Sequence, residues 1–319
     1  MRAIIVGCVA ATWFAINTAA ADDFPFPGQR PECSAHDNFK VADFSLPLSP
    51  ARLDAVKDLK IGVVFRYYDH TDETIDGKTL LPAESDRIFG AGLEIGVVFQ
   101  HHNDDPAKFL IPAIGTTDAE RALALADANR QPYGSAIYFG VDGPELHLGP
   151  FMDEYRSSGG TPMSEDRKNE LRSQNRAYFI DSYANFLKYG PAAFNGQKLD
   201  QLTPAVMKRP IAAYFKAIQV SFARYAQQHG SKGYRIGMYC TGMMCLLGQN
   251  ENLADLFWLS PEGRNDPEYG KAHSGDNWHL VQQLPTSCPQ VDAKFEFDLD
   301  YSNPKHADFG QWAAKRAGH

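Results

Sequence analysis

Eight short apolar runs, each rich in β-forming residues and most ending on an acid, an amide or an aromatic, constrain this chain more than any other feature. They lie at residues 40–45, 61–68, 94–102, 135–142, 234–240, 255–260, 278–283 and 294–300. The clearest is 135–142 (SAIYFGVD), an unbroken apolar run that closes on Asp142 and is stopped at once by Gly143-Pro144. Runs of this length bounded by turn residues read as buried strands. Helical segments separate the early ones. One opens at Ser49-Pro50, with a cap residue and then proline at the first helical position. A second covers 81–91 and is ended by Gly92. A third covers 116–130, with a threonine cap and an acidic first turn. Strand alternating with helix predicts a parallel sheet joined by right-handed crossovers.

From residue 255 onward the strands follow closely, with loops in place of full helices. The expected fold class is therefore α/β, a TIM-like (β/α)5β3 barrel with a helical insertion after the fourth strand. The insertion spans about 143–203. It begins with a stretch rich in Gly and Pro and continues in a charged, aromatic-bearing helix at 164–189, placed over the barrel mouth or flank. A second helix, 204–229, is the regular crossover into the fifth strand, ended by Gly230 and Gly233. A chain of 319 residues, 44% of them hydrophobic, has ample material for one such core.

The expected domain organisation is a signal peptide at 1–21, an extended lead-in at 22–39 and one barrel domain at 40–319. Arg2, an apolar stretch to Ile16 and the small residues Ala19, Ala20 and Ala21 form a secretory pattern. The apolar stretch is too short to span a bilayer comfortably, and no later segment is expected to cross one. Ile5 to Cys8 has the look of a lipoprotein cleavage box, but the hydrophobic run continues past Cys8. Secretion or a periplasmic location after cleavage is the expectation. Losing Arg2 with the signal moves the formal charge from −8 to −9. An acidic chain lacks the basic footprint of a nucleic-acid binder.

The remaining cysteines are Cys33, Cys240, Cys245 and Cys288. An even number in an oxidising compartment suggests disulfides, with three possible connectivities. Cys240 and Cys245 both lie near the expected rim, so either could reach Cys288. No cofactor and no metal are expected. His101 and His102 are adjacent on a strand and point to opposite faces, so both cannot easily bind one ion.

In a closed barrel, residues at the carboxyl ends of strands meet on one rim, where active sites are built. The strand ends supply Asp43, Arg66, Tyr68, Gln100, Asp142, Tyr239, Trp258, Gln282, Asp298 and Asp300. Aromatic faces that stack on sugars, amides that bond hydroxyls and paired carboxylates form a glycosidase-like set. A carboxyl near apolar groups keeps its proton and can protonate a leaving oxygen, while an ionised one supports positive charge at the anomeric carbon. Each residue also has a plain structural reading. Asp142 can cap a turn, Arg66 can pair with Asp43 or Asp142, Tyr67 and Tyr68 can be half-buried strand residues, and Trp258 can be core.

The segments FRYY at Arg66, AIYFGVD at Asp142, YRIGMYC at Cys240 and FEFDLD at Asp298 resemble the glycoside hydrolase-like domain known as domain of unknown function 1906. That domain is related to the family-25 glycoside hydrolases, which are muramidases. The resemblance runs from about Val41 to Tyr301 and leaves most of the insertion outside. It implies Asp43 as the first-strand acid, Asp298 as the last-strand acid and Asp142 at the place of the proton-donating Glu. Gly140 falls where the muramidases carry a partner Asp that orients the substrate's N-acetyl group. The reading is a secreted muramidase-like hydrolase of a cell-envelope or extracellular polysaccharide such as peptidoglycan. Asp142 is its general acid, with Asp43 and Asp298 stabilising charge or activating water. Arg66, Tyr68, Gln100, Tyr239, Trp258, Gln282 and Asp300 hold the sugar. The alternative, raised by Gly140, is an inactive carbohydrate-binding or envelope-associated pseudo-enzyme.

Overall fold

The computed structural model describes residues 33–35, 37–70, 75–264 and 267–314. Its centre is a closed eight-stranded barrel with the strands in chain order. They are β1 (Val41–Asp43), β2 (Val63–Tyr68), β3 (Glu94–Phe99), β4 (Ala136–Val141), β5 (Arg235–Cys240), β6 (Leu256–Leu259), β7 (Leu280–Ser287) and β8 (Glu296–Ser302). The TIM-like barrel expected from the sequence is thus present. One strand departs from expectation. β8 runs antiparallel to both neighbours, β1 and β7, while all other pairs are parallel. Its amino end, not its carboxyl end, therefore lies at the rim where β1 finishes, and Asp298 pairs with Asp43 while Asp300 pairs with Val41.

Helices pack outside the barrel: α1 (Pro50–Asp58), α2 (Pro82–Gly90), α3 (Pro106–Phe109) and α4 (Ala113–Ala128). Their starts follow the sequence chemistry. Ser49 caps α1 by accepting from the Arg52 amide at 3.3 Å, and proline sits in the first turn of α1, α2 and α3. The insertion holds α5 (Leu148–Ser158), α6 (Glu165–Ser173) and α7 (Tyr178–Ala193), so the single helix expected at 164–189 is two. The left-handed Asn175 lies between them. The crossover α8 (Lys208–Gln228) packs on α4, and α9 (Gly242–Asn250) follows β5. A short helix, α10 (Pro267–Ser274), stands between β6 and β7 where a plain loop was expected.

β2 and β4 are buried on both faces, and their apolar runs extend along most of each strand. Alternate residues divide into two cores. Val64, Tyr68, Ile137, Phe139 and Met238 face the helices. Val63, Phe65, Tyr138, Tyr239 and Trp258 fill the barrel. Phe65, Tyr138 and Trp258 form an aromatic plug, with Phe65 and Trp258 ring centres 4.8 Å apart. Glycine makes the plug possible, because a side chain at Gly96 would collide with the Phe65 ring and one at Gly237 with the Tyr138 ring. Large and small residues thus interleave in layers, and the barrel is solid below its rim.

The disulfides join Cys33 to Cys288 and Cys240 to Cys245. Neither Cys240 nor Cys245 reaches Cys288. β5 ends at Cys240, and the first turn of α9 folds Cys245 directly back onto it, 5.4 Å away between Cα atoms. Residues 1–32, with the expected signal peptide and Cys8, lie outside the described residues. No described helix is long and apolar enough to cross a membrane.

Candidate active site

Above the aromatic plug the barrel opens into a pit of about 170 Å³, lined by Tyr67, Val98, Gln100, Asp142, Tyr239, Trp258, Gln282 and Asp298. It is smaller than the roughly 300–1,000 Å³ of ordinary ligand pockets, so it suits part of a ligand whose remainder lies across the rim. The residues come from β2, β3, β4, β5, β6, β7 and β8, so barrel closure alone assembles them. Trp258 is 1% exposed and forms the floor. Gln100, Asp142, Gln282 and Asp298 are half-buried and line the walls.

A chain of hydrogen bonds crosses the pit. Gln282 Nε2 donates to Asp43 Oδ2 at 2.9 Å and to Asp298 Oδ2 at 3.0 Å. Its Oε1 accepts from the Tyr239 hydroxyl at 2.8 Å. That hydroxyl is 3.2 Å from Ser260 Oγ, and Ser260 donates to Asp142 Oδ1 at 3.4 Å. Asp43 also accepts from the Tyr67 hydroxyl at 2.6 Å. The amide of Gln282 therefore clamps two carboxyls together and links them to the third.

Asp43 and Asp142 hold protons unusually well. Burial pushes Asp43 up to about 8, with the nearby charge of Asp298 adding to the effect and the bonds from Tyr67 and Gln282 opposing it. At neutral pH Asp43 therefore holds its proton beside Asp298. Burial also pushes Asp142 up to about 7, helped by Glu262 and Asp104 and opposed by the Ser260 bond. Near neutrality Asp142 is poised to give or take a proton, the condition for general acid–base work.

The structure moves three expected sugar-holding residues out of the pit. Arg66 points outward, fully buried, with Nε 2.8 Å from Glu84 Oε1 and Nη2 3.2 Å from Glu84 Oε2. Its partner is thus neither Asp43 nor Asp142. Tyr68 points the same way and donates to Gln131 Oε1 at 3.0 Å. Successive strand residues alternate in direction, so the inward residue is Tyr67. Asp300 faces inward but lies a layer deeper, because β8 runs backwards. It is fully buried and accepts from Trp258 Nε1 at 2.8 Å. Burial, with Asp43 and Asp298, raises its pKa, and it is a core acid out of a sugar's reach.

Asp43, Gln100, Asp142, Tyr239, Trp258, Gln282 and Asp298 all stand at or beneath the pit. Gln282 has both amide ends engaged by protein groups, so it positions carboxyls and has little left for sugar hydroxyls. The sequence reading weighed Tyr67 without placing it among the sugar-holding residues, and it passed over Asn103, Ser260 and Glu262. Ser260 was within reach, since it stands two residues after the inward-facing Trp258 and so shares its face. Asn103 fills the space beside Gly140, where an added Cβ would lie 3.2–3.3 Å from its side chain. Among the described residues no group of three or more His, Cys, Asp or Glu could hold a metal ion.

A barrel rim gathering carboxyls, an amide clamp and aromatic walls is a glycoside hydrolase-like architecture. Residues 54–148, a segment that includes Asp142, match the family model described as Rv2525c-like, glycoside hydrolase-like domain. The match bears out the resemblance drawn from the sequence. No curated protein matches the chain. Among solved structures, the Tat-secreted protein Rv2525c of Mycobacterium tuberculosis in complex with HEPES aligns with a TM-score of 0.49. It has 18% identity, over 86% of this chain and 98% of its own. An uncharacterized B. stearothermophilus protein aligns with a TM-score of 0.47 and 13% identity, over 85% of this chain and 98% of its own. The modular autolysin LytC of Streptococcus pneumoniae, in complex with a synthetic peptidoglycan ligand, aligns at 0.36 with 10% identity, over 82% of this chain and 46% of its own.

Proposed function

We propose that the protein hydrolyses a cell-envelope or extracellular polysaccharide, with Asp142 as general acid. The observation that carries the reading is a carboxyl held at about pKa 7 on the wall of a rim pit that also holds the clamped pair Asp43 and Asp298. Asp142 gives its proton to the glycosidic oxygen as the bond to the anomeric carbon breaks. Asp298, whose charge helps to hold the proton on Asp43, supports the developing oxocarbenium ion and takes a proton from the attacking water. Two disulfides and the apolar segment at 1–21 support a site of action outside the cytosol, reached after loss of that segment.

Purified protein incubated with peptidoglycan and with chitin-type oligosaccharides is expected to release shorter products. The rate is expected to fall about tenfold per pH unit above the Asp142 pKa of about 7, since only the protonated form donates. Asp142→Asn, folded to the same melting temperature, is expected to lose about two to four orders of magnitude in kcat. Undiminished turnover by that variant refutes the assignment.

Gly140 and the Asn103 side chain packed beside it favour a second reading, a glycan-binding protein without turnover. Saturable binding of oligosaccharides by calorimetry, with no product after long incubation at pH 5–7, decides for it.

A further inference from the structure

Position 140 offers no carboxylate, yet a second acid still reaches Asp142 from elsewhere in the fold. The loop after β6 turns at Ser260, which is fully buried and donates to Asp142 Oδ1 at 3.4 Å. The same hydroxyl oxygen accepts from the backbone amide of Glu262 at 3.2 Å, so one serine links the Asp142 carboxyl to the Glu262 backbone. The Glu262 carboxyl then lies against the backbone of Gly143, the residue directly after Asp142. Any Cβ at Gly143 would collide with Glu262 Oε2, and the left-handed conformation there (φ 67°) also disfavours a side chain. Among the described residues the buried Oε2 has no hydrogen-bond partner. A carboxylate oxygen kept dry and unpaired costs free energy that an incidental surface glutamate would avoid by turning to water.

We propose that Glu262 is the positioning carboxylate of the Asp142 site, supplying from the loop after β6 the second acid that position 140 lacks. The proposal rests on the general-acid reading of Asp142. Burial raises the pKa of Glu262 as well, with His147 opposing it, but Glu262 keeps 39% of its side chain accessible while Asp142 is set more deeply. The remaining charged groups around the pair arrange themselves accordingly. His147, on the loop after β4, holds Nε2 3.9 Å from Glu262 Oε1 and Nδ1 4.0 Å from Asp104 Oδ2. Asp104, on the loop after β3, adds its charge to that of Glu262 in raising Asp142, while His147 opposes both. Glu145 is turned away toward Thr241, and Lys78 is drawn to the Asp69 carboxyl and the Gln100 carbonyl.

The test is a carbon-13 titration of the Asp142 and Glu262 carboxyls in the disulfide-bonded protein and in Glu262→Gln, which keeps the shape and removes the charge. The Asp142 midpoint is expected to drop by about one pH unit in the variant. Where glycan turnover is measurable, the alkaline limb of kcat moves down by the same amount with KM little changed. An Asp142 midpoint unchanged in folded Glu262→Gln overturns the proposal. Should that variant fail to fold, the wild-type titration decides. Asp142 responding in two steps, one at the Glu262 midpoint, supports coupling, and a single step overturns it. Absence of turnover by wild-type protein on any glycan refutes the hydrolase reading alone and leaves the titration result standing.

Discussion

Arg66 shows how a catalytic-looking residue can be wholly structural. Its guanidinium spans the gap between β2 and α2, meeting both Glu84 oxygens, the Gly77 carbonyl at 3.2 Å and the Phe44 carbonyl. Glu84 Oε1 in turn accepts the Leu48 amide at 2.8 Å, so one ion pair ties down the connection that leaves β1. Removing one partner of such a pair strands a buried charge. Arg66→Met is expected to lower unfolding free energy by about 3–5 kcal/mol in urea denaturation, with glycan affinity of the folded fraction unchanged. A large affinity loss at unchanged stability would restore Arg66 to the site.

At the level of elements, strand direction and strand parity decide which side chains meet the pit. β2 is buried on both faces, so its sequence VVFRYY has no alternation to say which residues point inward. β8 alternates apolar and acidic residues (EFDLD), and its reversal brings Asp298 to the rim and sends Asp300 down to Trp258. The two disulfides act on elements very differently. Cys33–Cys288 closes a sequence separation of 255 and ties the lead-in to the end of β7, whereas Cys240–Cys245 closes a separation of 5. On chain entropy alone, Cys33→Ser is expected to cost about 5 kcal/mol and Cys240→Ser about 2 kcal/mol. Calorimetric melting of the two variants checks the order. Equal or reversed losses would show that native-state contacts, not loop closure, dominate.

For the whole molecule, gathering acids inside one barrel makes stability depend on pH in an unusual sense. Asp43 at about 8 and Asp142 at about 7 both lie above the ordinary aspartate value, as does the buried Asp300. The folded state therefore binds more protons than the unfolded chain between about pH 4 and 8. The stability this contributes is complete below about pH 4 and is lost as pH rises through 7 and 8. Asp118 works in the opposite direction, lowered chiefly by Lys108 against its burial, so its own contribution disappears only on strong acidification. Melting temperature is expected to be higher at pH 5 than at pH 9, and Asp43→Asn is expected to shrink that difference. A wild-type melting temperature that is level or rising from pH 5 to 9 would contradict the protonated-pit account.

Apolar run length, the spacing of caps and the glycines after helices already determine eight strands in order, helices between the early ones and the acids at their ends. These are local properties, and local chemistry writes them into the chain. Whether Tyr67 or Tyr68 faces the pit, which way β8 runs, and which cysteines meet depend on contacts between segments far apart in sequence. So does the approach of Glu262, 120 residues beyond Asp142, to the acid it adjoins. Only closure of the barrel fixes those contacts, because a strand buried on both faces carries no mark of which face is inner.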